Sequence, residues 1–113
     1  MANLGIVAVI PAYKSNAQIL EVLAGVPSIV TKIIVVDDFC PNQTGKLVQE
    51  KTSDSRIEVI FNEKNLGVGG AVIAGFREAL KTDAGIILKI DSDGQMNPED
   101  IPKLVEPLVY GYA

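Results

Sequence analysis

The sequence predicts an α/β protein built as a three-layer, doubly wound, mainly parallel sheet. Three observations carry that expectation. First, the runs Ile6–Ile10, Ile33–Val36, Ile57–Phe61 and Ile86–Ile90 are short, β-branched and almost continuously apolar. Runs of that kind suit strands covered on both faces, as parallel sheets require. Second, segments with apolar residues at helical spacing lie between them. Third, the predicted strands end in acids or are followed by glycines, and open α/β sheets place their ligands beyond strand carboxyl ends.

The elements follow in order. After the first run, Ser15-Asn16 offers capping side chains, and Ile19, Leu20 and Leu23 keep helical spacing behind them. Thr44 to Ser53 reads as a second helix on a thinner apolar stripe, Leu47 and Val48. Val72, Phe76, Ala79 and Leu80 form a third stripe before the last run. Asn97-Pro98-Glu99-Asp100 resembles a helix start, with acids near the positive dipole end and Ile101, Leu104, Val105 and Leu108 behind. Pro102 and Pro107 place a kink or stop in that helix. The alternation implies crossover connections and a single domain.

Composition narrows the function. With 113 residues, one domain can bury roughly 65% of its unfolded surface, and 48% hydrophobic residues argue against disorder. A net charge of −4 without a basic stripe speaks against a nucleic-acid partner. No apolar stretch reaches the ~20 residues of a membrane span. Histidine is absent, which excludes Ser-His and Cys-His dyads and imidazole zinc sites within the chain. Cys40 is the single cysteine, a pattern that fits a reducing compartment and a thiol without a basic partner to activate it.

The residues that bear chemistry fall after strands. Asp91-Ser92-Asp93 follows the fourth run. In extended chain, residues two apart share a side, so both carboxylates can face one point. Hard oxygen donors there suit Mg²⁺ or Mn²⁺. Asp37-Asp38 ends the second run, where a carboxylate can accept from a nucleobase N–H or a ribose hydroxyl, or else cap the following turn. Asn65-Leu66-Gly67-Val68-Gly69-Gly70 follows the third run and opens a helix. Glycines such as Gly67 and Gly70 permit positive φ and close backbone approach to a bound group. Tight helix-to-strand packing is the competing reason for Gly75 and Gly70. The segment is neither a dinucleotide fingerprint nor a Gly-Lys-Ser/Thr phosphate loop.

In combination, Ile10-Pro11-Ala12-Tyr13, Val35-Val36-Asp37-Asp38, Asn65 to Ala71 and Ile90-Asp91-Ser92-Asp93-Gly94-Gln95 occur in series. That series resembles the nucleotide-sugar domain of the inverting family 2 glycosyltransferases, with their GT-A-like fold. Asp91-Ser92-Asp93-Gly94-Gln95 with Pro98-Glu99-Asp100-Ile101 is most similar to the dolichyl- or polyprenyl-phosphate sugar synthase branch.

The resemblance implies a metal-assisted transferase that moves a sugar from a nucleoside-diphosphate sugar to a polyprenyl-phosphate or saccharide acceptor. It implies that Pro11, Ala12 and Tyr13 line the nucleobase and that Asp38 bonds to base or ribose. Gly67, Gly70, Asp91 and Ser92 join the donor site. Asp93 binds the metal, Mg²⁺ or Mn²⁺, with Gln95 and Asp91 beside it. It further implies a cytoplasmic protein, held at the inner membrane face in its full-length form.

Three positions depart from the family pattern. Lys14-Ser15 stands where Asn-Glu is common, Asn42 replaces an acid, and Val68 occupies a position that is often basic, leaving Lys64 as a substitute charge. Family members also continue well beyond the metal motif. Residues 1–113 are therefore expected to be a nucleotide-sugar-binding domain truncated before the acceptor-binding part, with no catalytic residue of their own. Such a fragment would expose apolar surface and self-associate. Two other readings stay open from the residues alone: a phosphoacceptor receiver domain, whose acid pair also binds Mg²⁺, and a nucleotide-binding domain without transferase activity.

Overall fold

A computed structural model describes residues 5–92 of the protein. The helix expected after Asn97, and Asp93 and Gln95, lie outside the described residues. In chain order the elements are β1 (Gly5–Ala12), α1 (Ile19–Ala24), β2 (Lys32–Asp37), α2 (Thr44–Lys51), β3 (Ile57–Phe61), α3 (Gly67–Ala79) and β4 (Ala84–Lys89). The strands form one parallel sheet in the order β3-β2-β1-β4.

Side-chain alternation along β1 builds the three layers. Ile6, Ala8, Ile10 and Ala12 turn to one face, where Ile19, Val22 and Leu23 of α1 and Val48 of α2 complete a core. Val7 and Val9 turn to the other, with Ile34 and Val36 of β2, and meet Ala71 and Ala79 of α3. Gly75 lets α3 approach the sheet: a Cβ there would lie 2.2 Å from Val9 Cγ1 and 3.0 Å from Val36 Cγ2. Close helix packing is therefore the reason for this glycine.

Burial on both faces holds for β1 and β2, which are the inner strands. It does not hold for β3 and β4, whose residues are mostly half-buried. Their apolar runs match those of the inner strands, but each has only one hydrogen-bonded neighbour among the described residues. β1 also runs on through Pro11 to Ala12. Residues 7, 9 and 11 direct their backbone groups toward β4, whose pairing ends at Val9↔Lys89. Pro11 lies past that last pair, so its missing N–H forfeits no ladder bond.

The expected caps of α1 are replaced by another arrangement. Gln18 precedes the helix without a side-chain capping bond. Ser15 contributes its backbone carbonyl, which accepts from the N–H groups of Gln18 and Ile19. The Asn16 side chain instead spans to the next loop, donating to the Asn42 carbonyl at 2.9 Å and accepting from Thr44 Oγ1. A side chain positioned to cap has been drawn into tertiary bonding, because the two loops lie side by side at the carboxyl edge.

Strand order fixes where the site can form. The chain steps outward from β1 to β2 and β3 on one side, then returns past both to reach β4. α3 makes that return and lies over β1 and β2. The direction of winding reverses at β1, and crevices open at such points.

Candidate functional site

At the carboxyl edge of the sheet, around the end of β1, lies a cleft of about 490 Å³. Pro11, Ala12, Tyr13, Lys14, Ser15 and Gln18 line it from the β1–α1 connection, and Asp38 from the end of β2. Asn65, Gly67, Val68 and Ala71 come from the start of α3, and Asp91 and Ser92 from beyond β4. Segments more than twenty residues apart thus meet because the parallel register brings Ala12, Asp37 and Phe61 level with one another.

The two acids of β2 divide the work. Asp37 Oδ1 accepts from Cys40 N–H and its Oδ2 from Gly45 N–H, both at 2.8 Å, which ties down the turn into α2. Asp38 is buried and turned to the cleft side. Its Oδ1 accepts from Asn62 Nδ2 and from Leu66 N–H, both at 2.9 Å. No described group donates to its Oδ2. A bond from Leu66 also ties the start of α3 to this carboxylate.

Ahead of α3, Asn65 Oδ1 accepts from Gly67 N–H at 2.9 Å and so turns the chain. Gly67 takes a positive φ of 77° with no heavy atom near its missing Cβ, leaving its backbone open to the cleft. The N-cap residue Leu66 makes no side-chain capping bond, so beyond Gly67 the first-turn N–H groups have no side-chain acceptor among the described residues. Gly70 is not among the lining residues. A Cβ there would come 2.5 Å from Leu66 Cβ, so the glycine makes room within the first turn.

Basic character reaches the cleft by an unexpected route. Lys14, not Lys64, is the lysine that lines it, with its ammonium 5.4 Å from the Tyr13 ring centre. Lys14 holds a φ of 55°, a left-handed conformation that carries strain for a residue with a Cβ. Its N–H donates to Cys40 Sγ at 3.0 Å. Burial pushes the Cys40 thiol up, but hydrogen bonds from Thr44, from Lys14 N–H and from neighbouring backbone outweigh it and hold the thiol below its ordinary value. The sulfur is buried and engaged, a joint between two loops. Ser15 is buried as well, and its Oγ has no hydrogen-bond partner among the described residues.

Asp91 is half-exposed at the cleft rim and pairs with Lys89 at 3.1 Å, while Ser92 is buried. Among the described residues no group of three or more His, Cys, Asp or Glu side chains could hold a metal ion. Of the proposed ligands, Asp91 alone is described. A second, more open groove of about 670 Å³ lies on the other flank of β2, lined by Phe39, Pro41 and Phe61 among others. Its floor acid, Asp37, already has both oxygens bonded to backbone.

The family model for glycosyl transferase family 2 matches residues 7–113. The chain belongs to this family. It is 32% identical over 123 aligned residues to the UDP-N-acetylglucosamine–dolichyl-phosphate N-acetylglucosaminyltransferase of Methanococcus voltae, covering 96% of this chain and 49% of that protein. It is 34% identical to the dolichol-phosphate mannosyltransferase of Pyrococcus furiosus, covering 91% of this chain and 30% of that one.

Among solved structures, glucosyl-3-phosphoglycerate synthase from Mycobacterium tuberculosis in complex with UDP superposes with a TM-score of 0.72 at 28% identity. The match covers 96% of this chain and 41% of that one. The chain spans about half, or less, of the length of these relatives. Family membership removes the receiver-domain reading, and the three-layer parallel architecture agrees with that of a glycosyltransferase.

Sequence reasoning did not find Gln18 or Ala71 as lining residues, and it gave Lys14 and Ser15 no place in the site. Gln18 carries no motif. Ala71 was visible only as part of a glycine-rich stretch. For Lys14 the signal was negative, a departure from the family pattern.

Proposed function

We propose that this chain is the donor-binding portion of a glycosyltransferase that moves a sugar from a nucleoside-diphosphate sugar to a polyprenyl-phosphate or saccharide acceptor. The observation that carries the reading is convergence. Pro11-Ala12-Tyr13, Asp38, Gly67 and Asp91-Ser92, far apart in sequence, line one cleft at the point where the sheet's winding reverses. The relatives' names favour a polyprenyl-phosphate acceptor.

In this reading Tyr13 and Pro11 flank the nucleobase, and the open oxygen of Asp38 accepts from base or ribose. The N–H groups that follow Gly67 in the first turn of α3 are offered to phosphate oxygens, and Gly67 itself lets the ligand approach the backbone. Gly70 serves the same turn from within. Lys14 supplies the positive charge that Val68 does not. Its flexible ammonium can follow a diphosphate across the cleft mouth.

The donor chemistry at the rim fits a hard divalent cation. A half-exposed carboxylate, Asp91, faces the cleft, and the one thiol nearby is buried and engaged. Asp93 and Gln95 would complete the protein ligands with Asp91. A bound Mg²⁺ or Mn²⁺ would neutralise the charge that develops on the diphosphate leaving group.

Calorimetric titration with UDP and GDP tests the reading. At least one is expected to bind weakly without divalent ion and more tightly with Mn²⁺, and Asp93→Ala is expected to remove that increment. Absence of any metal effect on either nucleotide would refute the metal-assisted reading. We further infer that residues 1–113 lack acceptor transfer alone, which steady sugar transfer by the isolated chain would contradict.

Among the described residues no helix is long and apolar enough to cross a membrane. The polyprenyl-phosphate reading places the full-length protein in the cytoplasm, at the inner membrane face. The outer side of α3 exposes Ile73 and, just past its end, Leu80. Those exposed apolar side chains favour self-association of the chain, and light scattering showing a monomer at high concentration would count against it.

A further inference from the structure

The chemistry around Asp38 bears on which nucleobase the cleft accepts. A carboxylate oxygen offers two lone pairs. Asp38 Oδ1 receives one hydrogen bond from the Asn62 amide and one from Leu66 N–H, each at 2.9 Å. Both lone pairs of that oxygen are therefore in use. Asp38 is 3% exposed and lines the cleft, and no described residue donates to its Oδ2. The carboxylate accordingly offers a ligand one acceptor atom rather than two.

Asn62 is itself held in place. It stands directly after β3, and its N–H donates to the Asp37 carbonyl at 2.9 Å, continuing the β2–β3 ladder. The amide that engages Asp38 is thus delivered by the sheet, and its bond keeps the carboxylate from turning about χ2 to offer either oxygen or both.

We propose that Asn62 is a positioning residue that makes the cleft select uracil over guanine and cytosine by restricting Asp38 to a single acceptor. The inference rests on the reading of this cleft as the donor site and goes beyond it by naming the base. Uracil presents one N–H, at N3, and a single carboxylate oxygen satisfies it. Guanine presents N1–H and the N2 amino group side by side, a pair that needs both oxygens of a carboxylate. With Oδ1 occupied, one of those donors would enter the cleft without an acceptor. Cytosine carries a lone pair at N3, which the carboxylate repels. A site built around one hydrogen bond rejects ligands that leave buried polar groups unpaired.

The test is calorimetric titration of the full chain with UDP, CDP and GDP in the presence of Mn²⁺, for the wild type and for Asn62→Ala. The wild type is expected to bind UDP at least about tenfold more tightly than CDP or GDP, the scale of one unpaired buried donor. Asn62→Ala is expected to cut the UDP-to-GDP ratio at least threefold while thermal melting shows a folded protein. A role in stability alone would weaken all nucleotides by a common factor and leave the ratio unchanged, which would overturn the assignment to Asn62. Wild-type binding of GDP as tight as UDP would overturn the base selection while leaving the donor site standing. Failure of every nucleoside diphosphate to bind would remove the donor-site reading and this inference with it.

Discussion

Asp37 and Asp38 are neighbours at the end of β2, yet they serve opposite regions of the molecule. The α2 flank is built by Asp37: both its oxygens bind backbone N–H groups, and the turn through Cys40 to Gly45 closes around it. The cleft flank is built around Asp38, which lines the cavity, spends one oxygen on Asn62 and Leu66 and has no described donor to the other. Both carboxylates are 3% exposed, so burial does not distinguish them. What does is whether the protein's own donors satisfy the whole group. A fully satisfied acid is structural, and a half-satisfied one is poised for a ligand.

One substitution applied at each position should separate the two regions most sharply. Asp37→Asn places an amino group against a backbone N–H, and with both partners buried it is expected to cost about 3 kcal/mol in chemical denaturation. Asp38→Asn can keep an acceptor toward Asn62 and Leu66 while turning a donor to the cleft. Stability should fall by less than about 1 kcal/mol, while nucleotide affinity falls by about thirtyfold, or ~2 kcal/mol. Equal stability losses from the two variants would erase the distinction between the flanks.

Ser15 offers a finer probe. Its buried Oγ has no partner among the described residues at the cleft wall, so Ser15→Ala removes a polar atom that they leave unsatisfied. Thermal unfolding should show no loss, or a gain of about 0.5–1 kcal/mol, while nucleotide affinity drops severalfold if that hydroxyl serves the ligand. A clear loss of stability would show that the hydroxyl works for the fold.

The smallest effect lies at the opposite end of the sheet. Arg56 donates to Asp54 and to the carbonyls of Val26, Pro27 and Val30, clamping the segment that leads into β2. Hydrogen bonds from the Arg56 side chain and backbone hold the Asp54 carboxyl below its ordinary value. A carboxyl depressed on folding adds stability above its unfolded value near 3.8, and that stability is lost as pH falls through the folded value. Asp54→Asn should therefore cost under about 1 kcal/mol at neutral pH, since the pair is partly exposed, and the gap to wild type should close below pH ~4. A gap that persists unchanged at pH ~2 would mean that packing, not charge, makes the contribution.

The strands were legible because sheet burial writes continuous β-branched runs into the chain, and α2 and α3 because their stripes keep helical period. The acids and Gly67 were legible as chemistry at strand ends. Much of the wall was not. Lys14 at the cleft, like Phe39 and Gln43 at the second groove, adopts left-handed backbone that glycine normally marks, and here no glycine marks it. Ser15-Asn16 reads as a cap, yet Asn16 bonds across to Asn42 and Thr44, since a neighbouring loop competes for the same polar atoms. The edge strands carry runs that look as buried as those inside, because a run records apolar character and not the number of neighbouring strands.

Local pattern was thus enough to establish the α/β class, the four strands and the acids that end two of them, since burial and helical period act over a few residues. The order β3-β2-β1-β4 belongs to the tertiary structure, as does the return of α3 across β1 and β2. So does the division of labour between adjacent aspartates. The order, the return and the Asp38 half of that division are settled by contacts between segments twenty or more residues apart. Asp37 is satisfied by the turn that follows it, but the donors to Asp38 come from Asn62 and Leu66, chain that its own neighbourhood does not reveal.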